Sequence, residues 1–184
     1  TSCTTGLHLA LAALEIGPGD EVIVPAFTWV ATANVVLYCG ATPVFVDVDP
    51  VTFNMDVEKI AGCVTKKTRA IIPVHLFGLC VDIDALRAEI PVEVKIIEDA
   101  ACAAGASYKG RSAGSLGDAG VFSFHPRKSI TTGEGGMVTT NNDAFADRMV
   151  KMRNHGASIS EEQRHHGPKP YILPDFDLLG FNYR

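Results

Sequence analysis

Residues 17–48 read GPGDEVIVPAFTWVATANVVLYCGATPVFVDV, with no charged side chain over residues 22–46. An apolar run at Glu21–Pro25 is followed by a helical pattern over residues 28–38 and by a second apolar run over residues 43–48. Two prolines and a glycine interrupt the uncharged stretch, which argues against a membrane-spanning segment. The pattern predicts a buried strand, a helix and a second buried strand.

The same alternation continues along the rest of the chain. The predicted strands are residues 21–25, 43–48, 70–74, 94–98, 120–124 and 136–140. The predicted helices are one containing Leu7, Leu11 and Leu14, and residues 28–38, 56–61, 83–90 and 144–153, the last with Asp143 as N-cap. Strands that are apolar throughout need a sheet covered on both faces, and strand–helix alternation makes that sheet mostly parallel. The sequence therefore predicts a three-layer α/β domain.

The composition argues against a nucleic-acid partner and a metal site. Lys and Arg total 16 against 21 Asp and Glu, so the net charge is −5, and no basic stripe is present to neutralise phosphates. The six histidines and five cysteines form neither an H-E-x-x-H motif nor a C-x-x-C pair. Such cysteines are typical of a reduced, cytoplasmic protein. We therefore expect no nucleic acid, no membrane and no metal among its partners.

Polar side chains follow two of the predicted strands. Asp99 ends the run that starts at residue 94, and His75 follows the strand over residues 70–74. In parallel α/β sheets, ligands bind beyond the carboxyl ends of the strands, so both residues lie at the expected binding edge. A buried carboxylate needs a cation or hydrogen-bond donors, and a helix N-cap is the alternative interpretation of Asp99. His75 is interpreted as a histidine whose hydrogen bonds are satisfied at a strand end.

Lys128 lies in the loop after the strand over residues 120–124, within the sequence SFHPRKSITTGEGG (residues 123–136). A lysine in a loop is ordinarily a solvated surface residue. Three features favour a functional lysine instead: Ser123 lies five residues earlier, a glycine-rich stretch follows, and the loop belongs to the ligand-binding edge. A nucleophilic lysine needs a partly desolvated pocket, which this position can provide.

Two further segments point to the same edge. Thr4 and Thr5 belong to the hydroxyl-rich start of the first helix, TSCTTG (residues 1–6). Free backbone N–H groups and the positive helix end favour a phosphate there, with simple N-capping as the alternative. Trp29, the only tryptophan, follows the strand Glu21–Pro25. It suits either the hydrophobic core or stacking on a planar ligand.

Together these residues match the parts of a pyridoxal 5′-phosphate (PLP) site. The helix start and Ser123 would hold the phosphate, and Trp29 would cover one face of the ring. Asp99 would keep the ring nitrogen protonated, so that the ring withdraws electrons. Lys128 would bond the aldehyde carbon as a Schiff base. Each signal is weak alone, and the combination predicts the cofactor.

Longer motifs along the chain carry a family resemblance. They are GPGDEVIVPAFTWVATAN (17–34), GATPVFVD (40–47), EDAA (98–101), SFHPRK (123–128), GEGGMV (133–138), RNHG (153–156) and GFNYR (180–184). In this unbroken order the chain resembles the DegT/DnrJ/StrS family of PLP-dependent sugar aminotransferases. The resemblance implies fold type I, the aspartate aminotransferase fold, in which a large α/β domain with a mostly parallel sheet binds PLP and a smaller C-terminal domain follows.

The resemblance implies catalytic roles for matched positions. Lys128 corresponds to the Schiff-base lysine, Asp99 to the partner of the pyridine nitrogen, and Trp29 to the stacking aromatic residue. Cys102 departs from the family pattern, because its position is often a glutamine that contacts the ring oxygen of the cofactor. A thiol forms a weaker hydrogen bond at such a position, which affects that contact and leaves the chemistry unchanged.

The resemblance also implies phosphate contacts and an assembly. Thr4, Thr5 and Ser123 match phosphate-binding positions, and Asn182 matches an asparagine that reaches the phosphate of the neighbouring subunit. We therefore expect a homodimer with a shared active site. Relative to the family, the chain starts inside the large domain and stops before the second half. Residues 1–184 are thus expected to be a PLP-binding large domain without its native N-terminus and without the small domain.

The implied reaction is a two-stage amino transfer in amino-sugar and polysaccharide biosynthesis. Glutamate donates the amino group, Lys128 acts as general base and acid, and a nucleotide-linked keto-sugar accepts. One alternative is a PLP-dependent sugar dehydratase, in which histidine replaces the lysine; Lys128 argues against it. A second is a regulatory, non-catalytic relative, which retention of both Asp99 and Lys128 disfavours. A third is a folded remnant that binds the cofactor weakly. The nucleotide-sugar, the aminated carbon and the stereochemistry stay open.

Overall fold

The computed structural model describes residues 1–159, 161–166 and 174–184, in two compact units, Thr1–Asn141 and Asn142–Arg184. The first unit contains α1 (Cys3–Ala13), β1 (Glu21–Pro25), α2 (Ala31–Tyr38), β2 (Thr42–Val46), β3 (Thr68–Ile71), α3 (Ile83–Ala88), β4 (Lys95–Asp99), β5 (Ser107–Tyr108), β6 (Arg111–Ser112), β7 (Ala119–Ser123) and β8 (Gly136–Thr139). The second contains α4 (Asp143–Arg153) and α5 (Glu161–His166). Across these described ranges, no helix combines the length and the apolarity that a membrane crossing requires.

Six strands of the first unit form one sheet in the order β2-β1-β3-β4-β7-β8. The first five pair in parallel, and β8 runs antiparallel to β7. Parallel neighbours need crossover connections, and α2 and α3 lie in two of them. The prediction of a mostly parallel α/β sheet is confirmed. The antiparallel edge strand is a feature that strand–helix alternation alone does not indicate.

The hydrophobic core lies on both faces of this sheet. Ile23 and Ile71 are fully buried in one cluster with Leu86 of α3. Val22 and Val24 flank Ile23 in β1, so their side chains point to the opposite face, and they are equally inaccessible. The remaining long helices of this unit, α1 and α2, pack against the strands without joining the α3 cluster. This double coverage explains why the strands are apolar throughout.

One predicted helix is wrong. Residues 56–61 form, in place of an α-helix, parts of two 3-10 helices, Val57–Lys59 and Ala61–Cys63. The Asp56 side chain caps the first of them by accepting a hydrogen bond from the backbone N–H of Glu58 at 3.2 Å. The segment is too short to offset the cost of nucleating an α-helix, and 3-10 turns are the usual form of such short connectors.

The hairpin of β5 and β6 was not indicated by the sequence pattern. Its turn residues Lys109 and Gly110 both have positive φ angles, 49° and 78°. Two successive left-handed residues are the geometry of the tightest hairpin turns, which usually carry Asn-Gly or Asp-Gly. With a lysine in the first position and only two residues in each strand, the local signal is too weak to predict the hairpin.

The second unit begins with a capped helix and ends with an extended segment. Asn142, and not Asp143 as predicted, is the N-cap of α4, because its Oδ1 accepts a hydrogen bond from the N–H of Phe145 at 3.0 Å. The side chain of Asp143 therefore lies in the first helical turn, where a negative charge is also favourable. The segment 174–184 returns to the end of α4 through an isolated β-bridge between Asn154 and Asn182.

Candidate active site

A cavity of about 500 Å³ opens in the first unit at the carboxyl ends of the parallel strands. Its walls come from the start of α1 and from the segments after β1, β3, β4 and β7. The sequence-predicted candidates that line it are Thr4, Trp29, Asp99, Cys102, Ser123 and Lys128. The volume is that of a small-molecule site. Within the described parts of the chain, no group of three or more His, Cys, Asp or Glu side chains is placed to hold a metal ion.

Asp99 is the last residue of β4, and only 6% of it is exposed. Its Oδ2 accepts a hydrogen bond from the Thr32 hydroxyl at 2.9 Å, and its Oδ1 accepts one from the N–H of Ala101 at 3.1 Å. Burial raises the pKa of Asp99 from its ordinary value of 3.8, and these hydrogen bonds act in the opposite direction. The residues after Asp99 form a turn and no helix, so the N-cap interpretation is wrong.

Lys128 directs its amine into the cavity from the loop after β7. The side chain is half-buried, and its Nζ lies 3.1 Å from the Sγ of Cys102. The loop is closed by a hydrogen bond from the N–H of Phe124 to the carbonyl of Gly135 at 2.9 Å. A second bond, from the N–H of Lys128 to the carbonyl of His125 at 2.9 Å, makes the turn that carries the lysine. The amine is therefore held near the thiol, in the cavity that Asp99 also lines.

The start of α1 contributes backbone N–H groups to the cavity. Ser2 and Thr5 form a reciprocal capping box, with the N–H of Thr5 donating to Ser2 Oγ at 3.1 Å and the N–H of Ser2 donating to Thr5 Oγ1 at 3.0 Å. Thr5 thus serves the helix cap and does not line the cavity. Thr4 and Cys3 line it, and N–H groups of a first helical turn have no partner within the helix. The first turn of α1 therefore lies at the cavity with the positive end of the helix, which favours an anion there.

Trp29 also lines the cavity. It is 74% exposed, so the core interpretation of this tryptophan is wrong. The ring follows β1 just before α2 begins, and it lines the same cavity as Asp99. An indole with one accessible face at a binding edge can stack on a planar ligand.

Ser123 and Asn182 occupy very different places. Ser123 ends β7, lines the cavity, and its Oγ accepts a hydrogen bond from the N–H of His125 at 3.4 Å. Asn182 belongs to the second unit, where it bridges to Asn154 and its Oδ1 accepts a hydrogen bond from Arg184 Nε at 3.2 Å. The role of Asn182 toward a neighbouring subunit stays a prediction.

Two side chains that the sequence analysis did not single out contact the Asp99 carboxylate. Thr32 is fully buried in α2, and Cys3, buried in α1, donates from Sγ to Asp99 Oδ1 at 3.7 Å. Burial and the nearby carboxylate raise the pKa of Cys3 well above its ordinary value of 9.0, so its thiol keeps its proton and acts as a donor. The available signal for Thr32 is its position four residues after Thr28, on the same face of the helix that the sequence predicts over residues 28–38.

His75 and Glu98 form a buried pair behind the cavity, and both are 0% exposed. His75 Nδ1 accepts from the N–H of Val81 at 3.2 Å, so Nε2 carries the proton and donates to Glu98 Oε2 at 2.8 Å. The carboxylate also accepts bonds of 2.7 Å from the N–H groups of Gly114, Leu116 and Gly117. The prediction that the hydrogen bonds of His75 are satisfied at a strand end is confirmed.

Comparison with known proteins connects this geometry to aminotransferases. The model of the DegT/DnrJ/EryC1/StrS aminotransferase family matches residues 1–184. GDP-perosamine synthase of Caulobacter vibrioides is 51% identical over 182 residues, which are 98% of this chain and 46% of that protein. The chain thus spans just under half the length of this curated relative.

Solved structures share the fold closely. An aminotransferase from Psychrobacter cryohalolentis superposes with a TM-score of 0.92 at 43% identity, over 100% of this chain and 47% of that one. A proposed sugar aminotransferase from Streptococcus pneumoniae, in its PLP form, superposes with a TM-score of 0.86 at 35% identity, over 98% of this chain and 49% of that one. The same protein was also solved in its PMP form, with a TM-score of 0.87. The Streptococcus protein is thus known in a PLP form and a PMP form, and this chain shares its fold, in agreement with the PLP fold that the sequence resemblance implied.

Proposed function

The chain belongs to the DegT/DnrJ/EryC1/StrS aminotransferase family, and we propose that it forms the cofactor-binding part of a PLP-dependent sugar aminotransferase. The observation that carries the proposal is the convergence of the Asp99 carboxylate and the Lys128 amine on one cavity. A non-catalytic protein has no physical need to bury a carboxylate at this edge, because an unpaired buried charge lowers stability.

The donor set of the cavity fits PLP. When bound, PLP supplies a pyridinium ring that takes up the electrons of the bond broken at the α carbon of the amino acid. Asp99 offers a carboxylate for the ring nitrogen, and Trp29 offers an indole for one ring face. The N–H groups at the start of α1, with the Thr4 and Ser123 hydroxyls, offer donors for a phosphate at the positive end of a helix. The ring nitrogen, one ring face and the phosphate of the cofactor therefore each have a chemically matched partner.

Asp99 would keep the ring nitrogen of bound PLP protonated. Its carboxylate would accept a hydrogen bond from that nitrogen and stabilise the positive charge there. Because Asp99 is almost inaccessible to water, the attraction between the two charges is stronger than it would be in solution. The carboxylate is already fixed before the reaction by its bonds to Thr32 and Ala101, so little reorganisation is needed.

Lys128 has two tasks, both at its Nζ atom. The amine would hold PLP in the cavity by bonding its aldehyde carbon, with the aldehyde oxygen leaving as water. The same amine would also be placed to accept the α proton of a bound amino donor as general base, and to return a proton as general acid. The turn that fixes Lys128 after His125 keeps the amine at the cavity for this transfer.

We propose glutamate as the amino donor and a nucleotide-linked keto-sugar as the acceptor. Support for a sugar comes from the 51% identity to a protein named GDP-perosamine synthase. In this proposal the protein is a cytoplasmic homodimer, and Asn182 contributes to the phosphate site of the neighbouring subunit. These finer points extend the family assignment and rest on the resemblance of the matched motifs.

The test is to locate the cofactor chemically on the full-length protein. PLP is added, the absorption spectrum is recorded with and without glutamate, and the mixture is reduced with borohydride before peptide mass mapping. We expect an absorbing adduct that glutamate bleaches, and a reduced adduct on Lys128. Lys128→Ala should lower turnover by roughly 10³-fold or more, and Lys128→Arg should do the same because the guanidinium keeps the charge without a nucleophilic amine.

Lys66→Ala is the matched control, because Lys66 is exposed and does not line the cavity. It should retain wild-type activity and the wild-type adduct. A wild-type protein that forms no adduct, or a Lys128→Ala variant that keeps substantial activity, would contradict the proposed function.

A further inference from the structure

The Thr32 hydroxyl has a direct contact with the carboxylate that the proposed reaction uses. Thr32 lies in the first turn of α2, is 0% exposed and does not itself line the cavity. Its Oγ1 donates to Asp99 Oδ2 at 2.9 Å. Because Thr32 contacts Asp99 and does not line the cavity, it can influence the proposed reaction only through the Asp99 carboxylate.

The donor and the acceptor of this hydrogen bond can be assigned. The Thr32 hydroxyl has a single proton and donates it to the carboxylate, which can only accept. The Thr28 Oγ1 lies 3.1 Å from Thr32 Oγ1 and must therefore be the donor of that second contact. The two hydroxyl groups thus form a chain from the cavity wall at Thr28 through Thr32 to Asp99, with both protons oriented toward the carboxylate.

The other oxygen of the carboxylate is held independently. Oδ1 accepts from the N–H of Ala101 at 3.1 Å and from the thiol of Cys3 at 3.7 Å. The positive charge of Lys128 also lowers the pKa of Asp99, by less than the hydrogen bonds do. Thr32 is therefore the side-chain donor at Oδ2. Its hydrogen bond is shorter than that of Cys3, the side-chain donor at Oδ1.

We propose that Thr32 is a positioning residue that fixes the orientation of the Asp99 carboxylate and keeps it in its anionic form. This inference rests on the proposed function, because the anion matters for pairing with a protonated ring nitrogen. Without the hydroxyl, desolvation of Asp99 is opposed by fewer hydrogen bonds, and the neutral acid becomes more favourable. A neutral carboxyl group cannot hold the positive charge of a pyridinium.

The experiment compares PLP binding by the apo form of the full-length protein as a function of pH. Thr32→Val removes the hydroxyl at nearly constant volume, Thr32→Ser retains it, and Thr32→Ala is a second hydroxyl-free variant. Thr68→Val is the matched control, because Thr68 is 5% exposed and its Oγ1 accepts a 2.9 Å bond from Thr65 away from the cavity. Circular dichroism shows whether each variant keeps the fold.

We expect the acid-side midpoint of PLP affinity to move to higher pH by about one unit in Thr32→Val and Thr32→Ala, because a hydrogen bond to the charged form of an acid lowers its pKa by about that amount. Thr32→Ser and Thr68→Val should keep the wild-type midpoint. The phosphate of PLP and the other side chains of the site are the same in all variants, so the difference from wild type isolates Asp99.

Two results overturn the inference. One is a loss of affinity in Thr32→Val by the same factor at every pH, which a merely structural role would produce. The other is an equal shift of the midpoint in Thr32→Ser. Both leave the proposed function standing, because wild type still binds PLP. Absence of PLP binding by wild type is a different outcome, and it overturns the proposed function and this inference together.

Discussion

Two residues of the cavity reverse the usual distribution of side chains. The Asp99 carboxylate is almost fully buried, and the Trp29 indole is 74% exposed. Carboxylates are rarely buried without a partner and large aromatic rings are rarely left in water, so each position lowers stability unless a ligand completes it. A planar cation with one face against the indole and its charge against the carboxylate would satisfy both residues together.

Trp29 gives the first test at this scale. Trp29→Ala should change the free energy of unfolding by less than about 0.5 kcal/mol, because an exposed side chain contributes little to the core. The same substitution should weaken PLP binding roughly tenfold through the loss of ring stacking, and Trp29→Phe should retain most of the affinity.

Urea unfolding and equilibrium dialysis on the full-length protein measure the two quantities separately. A large loss of stability would mean that the ring packs into a core after all. Unchanged affinity in Trp29→Ala would mean that the ring does not stack on the cofactor.

At the scale of the elements, the phosphate end of the site depends on how closely α1 approaches β8. A Cβ added to Gly136 would lie 2.5 Å from the carbonyl oxygen of Ser2 and 2.8 Å from the backbone nitrogen of Cys3. Both are backbone atoms that cannot rotate away. The absence of a side chain at Gly136 is therefore what lets the first turn of α1 pack against the sheet beside the cavity.

Gly136→Ala should move the start of α1. Because overpacking against backbone forces a shift, we expect a loss of about 2 kcal/mol in the free energy of unfolding. PLP binding should weaken more than binding of pyridoxal, which lacks the phosphate that the α1 N–H groups would hold.

The control for this prediction is Gly62→Ala, since an added Cβ at Gly62 has no heavy atom within 4 Å. It should leave both affinities unchanged. If Gly136→Ala weakened the binding of PLP and of pyridoxal by the same factor, the start of α1 would not be the phosphate site.

At the scale of the whole molecule, two adjacent carboxyl groups make stability depend on pH in opposite directions. Burial raises the pKa of Glu98, but the hydrogen bonds from His75 and from backbone N–H groups outweigh it and hold the pKa below its ordinary value of 4.5. The pKa of Asp99 is instead raised above 3.8 by burial. Glu98 thus contributes stability above about pH 4.5 that is lost as the pH falls through its lowered pKa. Asp99 contributes stability at low pH that is lost as the pH rises through its raised pKa.

Glu98→Gln is the test of this pH dependence. The amide nitrogen must face backbone N–H donors, so we expect a loss of about 3 kcal/mol in the free energy of unfolding at neutral pH. The loss of stability on acidification below about pH 4.5 should also become shallower, because the group that titrates there is gone.

Asp99→Asn should have the opposite effect, with greater stability of the apo protein at neutral pH and no loss of stability as the pH rises from the acid range. Urea unfolding as a function of pH measures both variants, with the exposed Glu93→Gln as control. If Glu98→Gln had wild-type stability and lost stability on acidification as wild type does, the buried Glu98 carboxylate would not contribute to stability.

Much of the fold could be predicted because the pattern of apolar and polar residues within a short segment indicates whether that segment forms a strand or a helix. The apolar run Glu21–Pro25 has the predicted bounds, and the other sheet strands lie within a few residues of the predicted ones. Asp99, Ser123 and Lys128 were recognisable for a related reason, since Asp99 and Ser123 end such runs, Lys128 lies in the loop after one, and parallel strands end at one edge. Thr5 was also recognisable as a polar residue at a helix start, although the structure assigns its hydroxyl to the capping box.

The sequence by itself therefore determined the alternation of strands and helices, the binding edge and the two residues on which the proposed chemistry depends. Only the tertiary structure decided which side chains meet there. Thr32 and Cys3 are 67 and 96 residues away from the carboxylate that they contact, and Glu98 bonds to backbone N–H groups 16 to 19 residues away. Periodicity reports which face of its own element a residue occupies. It carries no information on which residue of another element will contact that residue. The order of the strands in the sheet and the packing of the helices decide those contacts.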